Sequence, residues 1–161
     1  INTKLNLEMA ATGEMIDLAL ELNPYQISLV PEKRQEITTE GGLDVVTKVE
    51  DFKKLRELIK EKDILYSLFV DPDPKQIEAS ILVEADSIEI NTGRYSELKD
   101  PDEINGELKR IQEAARYAFD LGLRVFAGHG LNYNNVRAIA AIPEIEELNI
   151  GHFLVAQSVY T

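Results

Sequence analysis

The sequence contains no cysteine, which excludes a disulfide framework and any thiolate metal site. It has two histidines, so a zinc centre would have to be completed by carboxylates. No metal-type spacing is present, and no metal is expected. Cations are scarce as well: 17 Lys and Arg against 29 Asp and Glu leave a net charge of −12. Nucleic acid and polybasic membrane surfaces both require clustered cations, so neither is an expected partner. Small phosphorylated ligands stay open, because backbone N–H groups at a helix start hold an anion without net positive charge. No apolar run approaches the length of a membrane span. No signal-peptide pattern opens the chain, which makes the cytoplasm the expected compartment.

What is present fits one globular unit. The 161 residues are 44% apolar and 29% charged, a balance that supports a real core and gives no sign of a second domain within 1–161. The chain opens on Ile1-Asn2-Thr3-Lys4, without Met, and runs almost at once into a strand. It closes at Tyr160-Thr161, partway through a helical pattern. Missing segments on both sides are the expectation.

Short apolar runs alternate with longer stretches of helical period. Strands are predicted at 5–9, 25–30, 64–70, 87–91, 123–127 and 148–150. A helix is predicted over 12–22, and another carries Val45, Val49, Phe52 and Ile59 on one stripe. Asp73-Pro74 and Asp100-Pro101 place an N-cap Asp before a Pro at the first helical position. The second of these opens a long helix with Ile104, Leu108, Ile111, Ala115 and Ala118 on one face. A helix over 133–142 stops at Pro143, and a short one starts at His152.

Strictly alternating strands and helices imply a parallel sheet. An open sheet covered on both faces would have continuously apolar strands, whereas these strands alternate. Asn6, Glu8, Gln26, Ser28, Ser87, Glu89 and Asn91 share one face; Leu5, Leu7, Ile27, Leu29, Ile88 and Ile90 share the other. Helices take the apolar set, and the lumen of a barrel near its C-terminal mouth takes the polar one. The predicted architecture is therefore α/β, a parallel (β/α)8 TIM barrel. About six βα units are carried here, with the first two and the last helix absent. An open sheet of weakly buried strands is the alternative.

In such a barrel the chemistry sits at the C-terminal strand ends. Glu8 ends the first strand on the polar face, where a partly desolvated carboxylate serves as acid or base; a Glu paired with an Arg or Lys explains it equally well. Gly128-His129-Gly130 places an imidazole between two turn-permitting glycines, although a lone His is more often structural. Asn149-Ile150-Gly151-His152 ends the last strand and opens a short helix, the usual place for a phosphate; ordinary turn chemistry is the competing reading. The charged loop 31–42 is long for a βα connection, as lids and binding loops are.

Several segments resemble the pyridoxine 5′-phosphate synthase family. They are 5–10 (LNLEMA), 30–36 (VPEKRQE), 38–44 (TTEGGLD), 89–93 (EINTG), 127–131 (AGHGL) and 147–152 (ELNIGH). The resemblance runs over essentially the whole chain. It implies a TIM barrel that condenses 1-deoxy-D-xylulose 5-phosphate with 3-amino-2-oxopropyl phosphate, releasing phosphate and water. No metal or organic cofactor is implied, and the family assembles as a homo-octamer. By the same resemblance Glu8 is a catalytic acid/base and His129 a proton donor. Thr38 contacts the deoxyxylulose phosphate, while Gly130, Gly151 and His152 hold the amino-ketone phosphate. Glu89, inward at another strand end, is a weaker candidate for proton or water handling, with an interior salt bridge as its bland explanation. The family's first two strands, with a catalytic His and substrate-binding Arg, Asn, Asp and His groups, have no counterpart here. Two other readings compete: a different phosphate-binding barrel, such as an aldolase or isomerase, and an inactive barrel fragment. The aldolase reading needs a Schiff-base Lys near a strand end, and none stands at the mouth positions.

Overall fold

The computed structural model describes residues 3–32 and 41–160. Six strands pair in chain order, each with the next and all parallel. They are β1 (Asn6–Met9), β2 (Gln26–Leu29), β3 (Leu65–Val70), β4 (Ser87–Asn91), β5 (Arg124–Gly128) and β6 (Ile145–Asn149). Between them run α1 (Gly13–Leu22), α2 (Val49–Lys60), α3 (Pro74–Leu82), α4 (Gly93–Glu97), α5 (Pro101–Asp120) and α6 (Val136–Ala140), and α7 (His152–Ser158) follows β6. Strand order never reverses, as it would in a doubly wound sheet. The six strands form the curled wall of a partial TIM barrel. Among the described residues no helix is long and apolar enough to cross a membrane.

The predicted two-faced strands account for the layering. Ile27, Leu29, Leu68, Val70, Ile88, Ile90, Val125 and Ala127 point outward and are fully buried beneath the helices. They meet Phe52, Leu55 and Ile59 of α2, Ile77 of α3, and Ile111, Ala115 and Ala118 of α5 in one continuous core. Each large aliphatic side chain so buried contributes roughly 1.5–3 kcal/mol. The opposite face points to the lumen and carries the polar set, with Gln26, Ser28, Ser67, Ser87, Glu89 and Asn91 buried there beside Phe69 and Phe126. Leu5 departs from the expected pattern: it precedes β1 and is exposed.

Both Asp-Pro starts behave as their chemistry requires. Asp73 accepts from the Lys75 N–H at 3.0 Å, and Asp100 accepts from Asp102 and Glu103 at 3.0 and 3.1 Å. Two element starts are displaced by three residues from the sequence expectation, and one helix was not expected. The helix predicted from residue 133 begins at Val136, because Asn132 and Asn135 cap a turn through the backbone N–H groups of Asn134 and Asn132. Such side-chain bonds compete with the helix for the same donors. The last strand starts at Ile145, three residues early, once the turn bonding Ile145 N to Ile142 O is complete. Helix α4 was hidden by its length of 5 residues, too short for a periodic signal.

Candidate active site

At the C-terminal end of the sheet, β4 and β5 bring a carboxylate and an imidazole loop together. Glu89 lies on a strand paired on both sides, and it is only 6% exposed. Burial pushes its carboxyl from the ordinary 4.5 up to about 7. A hydrogen bond from Asn149 Nδ2 to Oε2, 2.6 Å long, acts in the opposite direction. The negative charges of Glu8 and Glu147 add to the rise. A carboxyl near half-protonation at neutral pH both gives and takes protons, which is the requirement of an acid/base catalyst.

Gly128, in register with Asn91 on one side and Asn149 on the other, is where glycine is needed. A Cβ there would overlap Glu89 Oε1 and stand 2.9 Å from the Asn149 carbonyl. His129 and Gly130 follow with φ of 78° and 74°. Left-handed backbone is uncommon for a side-chain-bearing residue, and such outliers cluster at functional sites. The turn is held by Thr92, whose hydroxyl lies 2.7 Å from the carbonyls of both Gly128 and His129. The imidazole is exposed at the mouth, its ring 6.2 Å from that of Phe69.

Beside His129 opens a cavity of about 360 Å³ lined by Gly41, Phe69, Asn91, Gly93, Arg94, Glu97 and His129. Its back wall is fixed by hydrogen bonds. Asn91 donates from Nδ2 to Asp71 at 2.9 Å and accepts the Gly93 N–H on Oδ1 at 2.9 Å. Asp71 also accepts the Gly42 N–H at 3.0 Å, which ties the mouth of β3 to the segment after residue 40.

Of the other predicted residues, Gly151 and His152 lie nearest this centre. Gly151 and His152 are exposed just beyond Asn149, Gly151 as the N-cap of α7. Strands β5 and β6 are neighbours, so the His129-Gly130 and Gly151-His152 turns leave adjacent strand ends. Glu8 sits on β1, the edge strand on the far side of the sheet, and is exposed there. Thr38 and most of the predicted lid loop lie outside the described residues. Asp71, Phe69, Arg94 and Glu97 escaped the sequence reading. Asp71 carries a usable signal, a polar residue directly after an apolar strand.

Fold and site together define a partial (β/α) barrel with a desolvated carboxyl and an exposed imidazole at the C-terminal mouth of its sheet. A family model described as "Pyridoxal phosphate biosynthesis protein PdxJ" matches residues 1–161, and the chain belongs to that family. Curated relatives named "Pyridoxine 5'-phosphate synthase" include one from Sulfurihydrogenibium sp. (strain YO3AOP1), 55% identical over 99% of this chain and 65% of its own length. One from Geobacter metallireducens is 50% identical over 99% of this chain and 66% of its own. One from Aquifex pyrophilus is 53% identical over 99% and 69%. The chain thus spans about two thirds of the length of the relatives it matches. Among solved structures, a xylose isomerase domain protein from Planctomyces limnophilus superposes with a TM-score of 0.59 at 13% identity, over 92% of this chain and 62% of that one. At that identity the likeness concerns the fold alone.

Proposed function

We propose that the protein is a pyridoxine 5′-phosphate synthase. In this reading it condenses 1-deoxy-D-xylulose 5-phosphate with 3-amino-2-oxopropyl phosphate to pyridoxine 5′-phosphate, phosphate and water. The observation that carries the proposal is the identity of 55% to a relative of that name across 99% of this chain. The site geometry supports it, since a ring-forming condensation requires repeated proton transfers at neutral pH. Glu89 titrates near there, and His129 opens on the same mouth, so the two are suited to exchange protons with a bound intermediate. Glu8 contributes a third proton-handling group from across the lumen. Gly130, Gly151 and His152, on adjacent turns, are suited to the amino-ketone phosphate, and Thr38 to the deoxyxylulose phosphate. The same reading carries assembly as a homo-octamer in the cytoplasm without a cofactor. The test is to incubate the full-length protein with both substrates and follow pyridoxine 5′-phosphate by chromatography. Absence of product with either substrate order would refute the proposal.

One substitution separates the two phosphates. A Cβ at Gly151 meets nothing within 4 Å, and its φ of −103° suits any residue. Gly151→Val should therefore fold normally and obstruct only a ligand approaching the turn. Binding of the amino-ketone phosphate is expected to weaken by roughly 10-fold, the worth of about one lost hydrogen bond to a charged group. The deoxyxylulose phosphate should be affected much less. Equal weakening of both, by calorimetry, would move the phosphate site elsewhere.

A further inference from the structure

The cavity beside His129 contains an arginine that the sequence motifs do not account for. Of its lining residues, Arg94 is the one permanent cation, set against Glu97 on the same short helix. The chain as a whole carries −12, a field that repels dianions unless a local cation offsets it. The position of Arg94 is not accidental to the backbone. Gly93, directly before it, donates to Asn91 and lies so close to His129 that a Cβ would stand 2.9 Å from the ring Cδ2. Helix α4 is thereby pressed against the imidazole, and its next residue stands at the pocket wall.

The guanidinium is also held from behind. Arg94 Nε lies 3.4 Å from Glu107 Oε2, and Glu107 on α5 is only 6% exposed. Arg110, one turn along the same helix, approaches Glu107 Oε1 at 3.1 Å. Neutralising a buried carboxylate needs a partner, and Arg110 supplies one within α5. The contact to Arg94 therefore does something further: it links α5 to the pocket. A guanidinium is planar, so anchoring Nε sets the direction of the whole fork. Planar forks of this kind match phosphate oxygens.

We propose that Arg94, oriented by the buried Glu107, anchors the phosphate of one incoming substrate in the cavity beside His129. Glu107 is then a positioning residue. The proposal rests on the synthase reading for the identity of the substrates, though not for the anion chemistry. The experiment uses full-length protein with each phosphorylated substrate varied in turn against a saturating partner. Arg94→Gln should raise KM for one substrate by roughly 10–100-fold, the value of hydrogen bonds to a charged group, with kcat within about threefold. Arg94→Lys should restore part of that loss, because it returns the charge without the fork. Glu107→Gln should raise the same KM by a smaller factor, whereas Arg110→Gln should leave it unchanged. A purely structural role would instead lower thermal stability in Arg94→Gln without selecting one KM. Both KM values within about twofold of the parent in Arg94→Gln would overturn the proposal. If the parent makes no pyridoxine 5′-phosphate, the synthase reading fails and the anchor is read with inorganic phosphate by calorimetry. Binding to the parent that is roughly 10-fold weaker in Arg94→Gln supports the anchor; equal binding to both, or none to the parent, overturns it.

Discussion

Glu89→Gln is expected to lower kcat by ~10²–10⁴-fold, the usual contribution of a positioned acid or base, while making the protein more stable at alkaline pH. The two effects share one cause. Below pH 4.5 the carboxyl is neutral in both folded and unfolded chains, and burying it carries no ionic penalty. As pH rises from 4.5 towards about 7, the unfolded chain ionises first and native stability is progressively lost. Above about 7 the buried group ionises too, and the penalty levels off on the order of 3 kcal/mol. Glutamine is neutral throughout and still accepts the Asn149 bond. Denaturant titrations should therefore show parent and variant alike at pH 4 and separated by about that amount at pH 8. A variant with near-normal turnover would remove Glu89 from the chemistry, and a pH-independent difference would contradict its desolvation. Glu8→Gln is expected to lose turnover by a similar ~10²–10⁴-fold with little effect on folding.

Gly128→Ala tests the packing that creates this carboxyl. The new methyl would coincide with Glu89 Oε1 and sit 2.9 Å from the Asn149 carbonyl. One neighbour is backbone of a paired strand, and the other is a buried side chain held by a hydrogen bond. Neither can yield without loss. Overpacking of this kind costs about 1–3 kcal/mol. Glu89 should also be displaced by a distance comparable to a C–C bond, and misplacement on that scale lowers turnover by ~10²-fold. Thermal denaturation and steady-state rates report the two losses separately. Unaltered stability together with unaltered turnover would show that Glu89 does not occupy the space beneath Gly128.

The legible and illegible parts of the site divide along physical lines. Helix starts were legible where one side chain satisfies nearby backbone donors, as at Asp73 and Asp100. The lumen was legible because a strand alternates faces residue by residue, so Ser28, Ser87, Glu89 and Asn91 had to share a side. Gly128-His129-Gly130 was legible as a tight turn flanked by glycines, whereas the left-handed φ of 78° at His129 itself was not. The desolvation of Glu89 was not legible either. Glu8 and Glu89 look alike in sequence, each inward and near a strand end. The Asp71–Asn91 bond and the Arg94–Glu107 pair were equally hidden, since each joins residues brought together only by packing.

The sequence by itself determined the alternation of six strands with helices, the outward apolar and inward polar faces, and the family to which the chain belongs. Those properties follow from periods of two and 3.6 residues, from caps, and from contiguous motifs, all of which are local. Tertiary structure alone decided that Glu89 is stripped of water. It lies on β4, enclosed by β3 and β5 and roofed by Gly128. Desolvation depends on every atom within a few ångströms, and most of those atoms come from segments far along the chain. The pocket cation was settled in the same way: Arg94 became part of the site when α5 placed a buried Glu107 behind it.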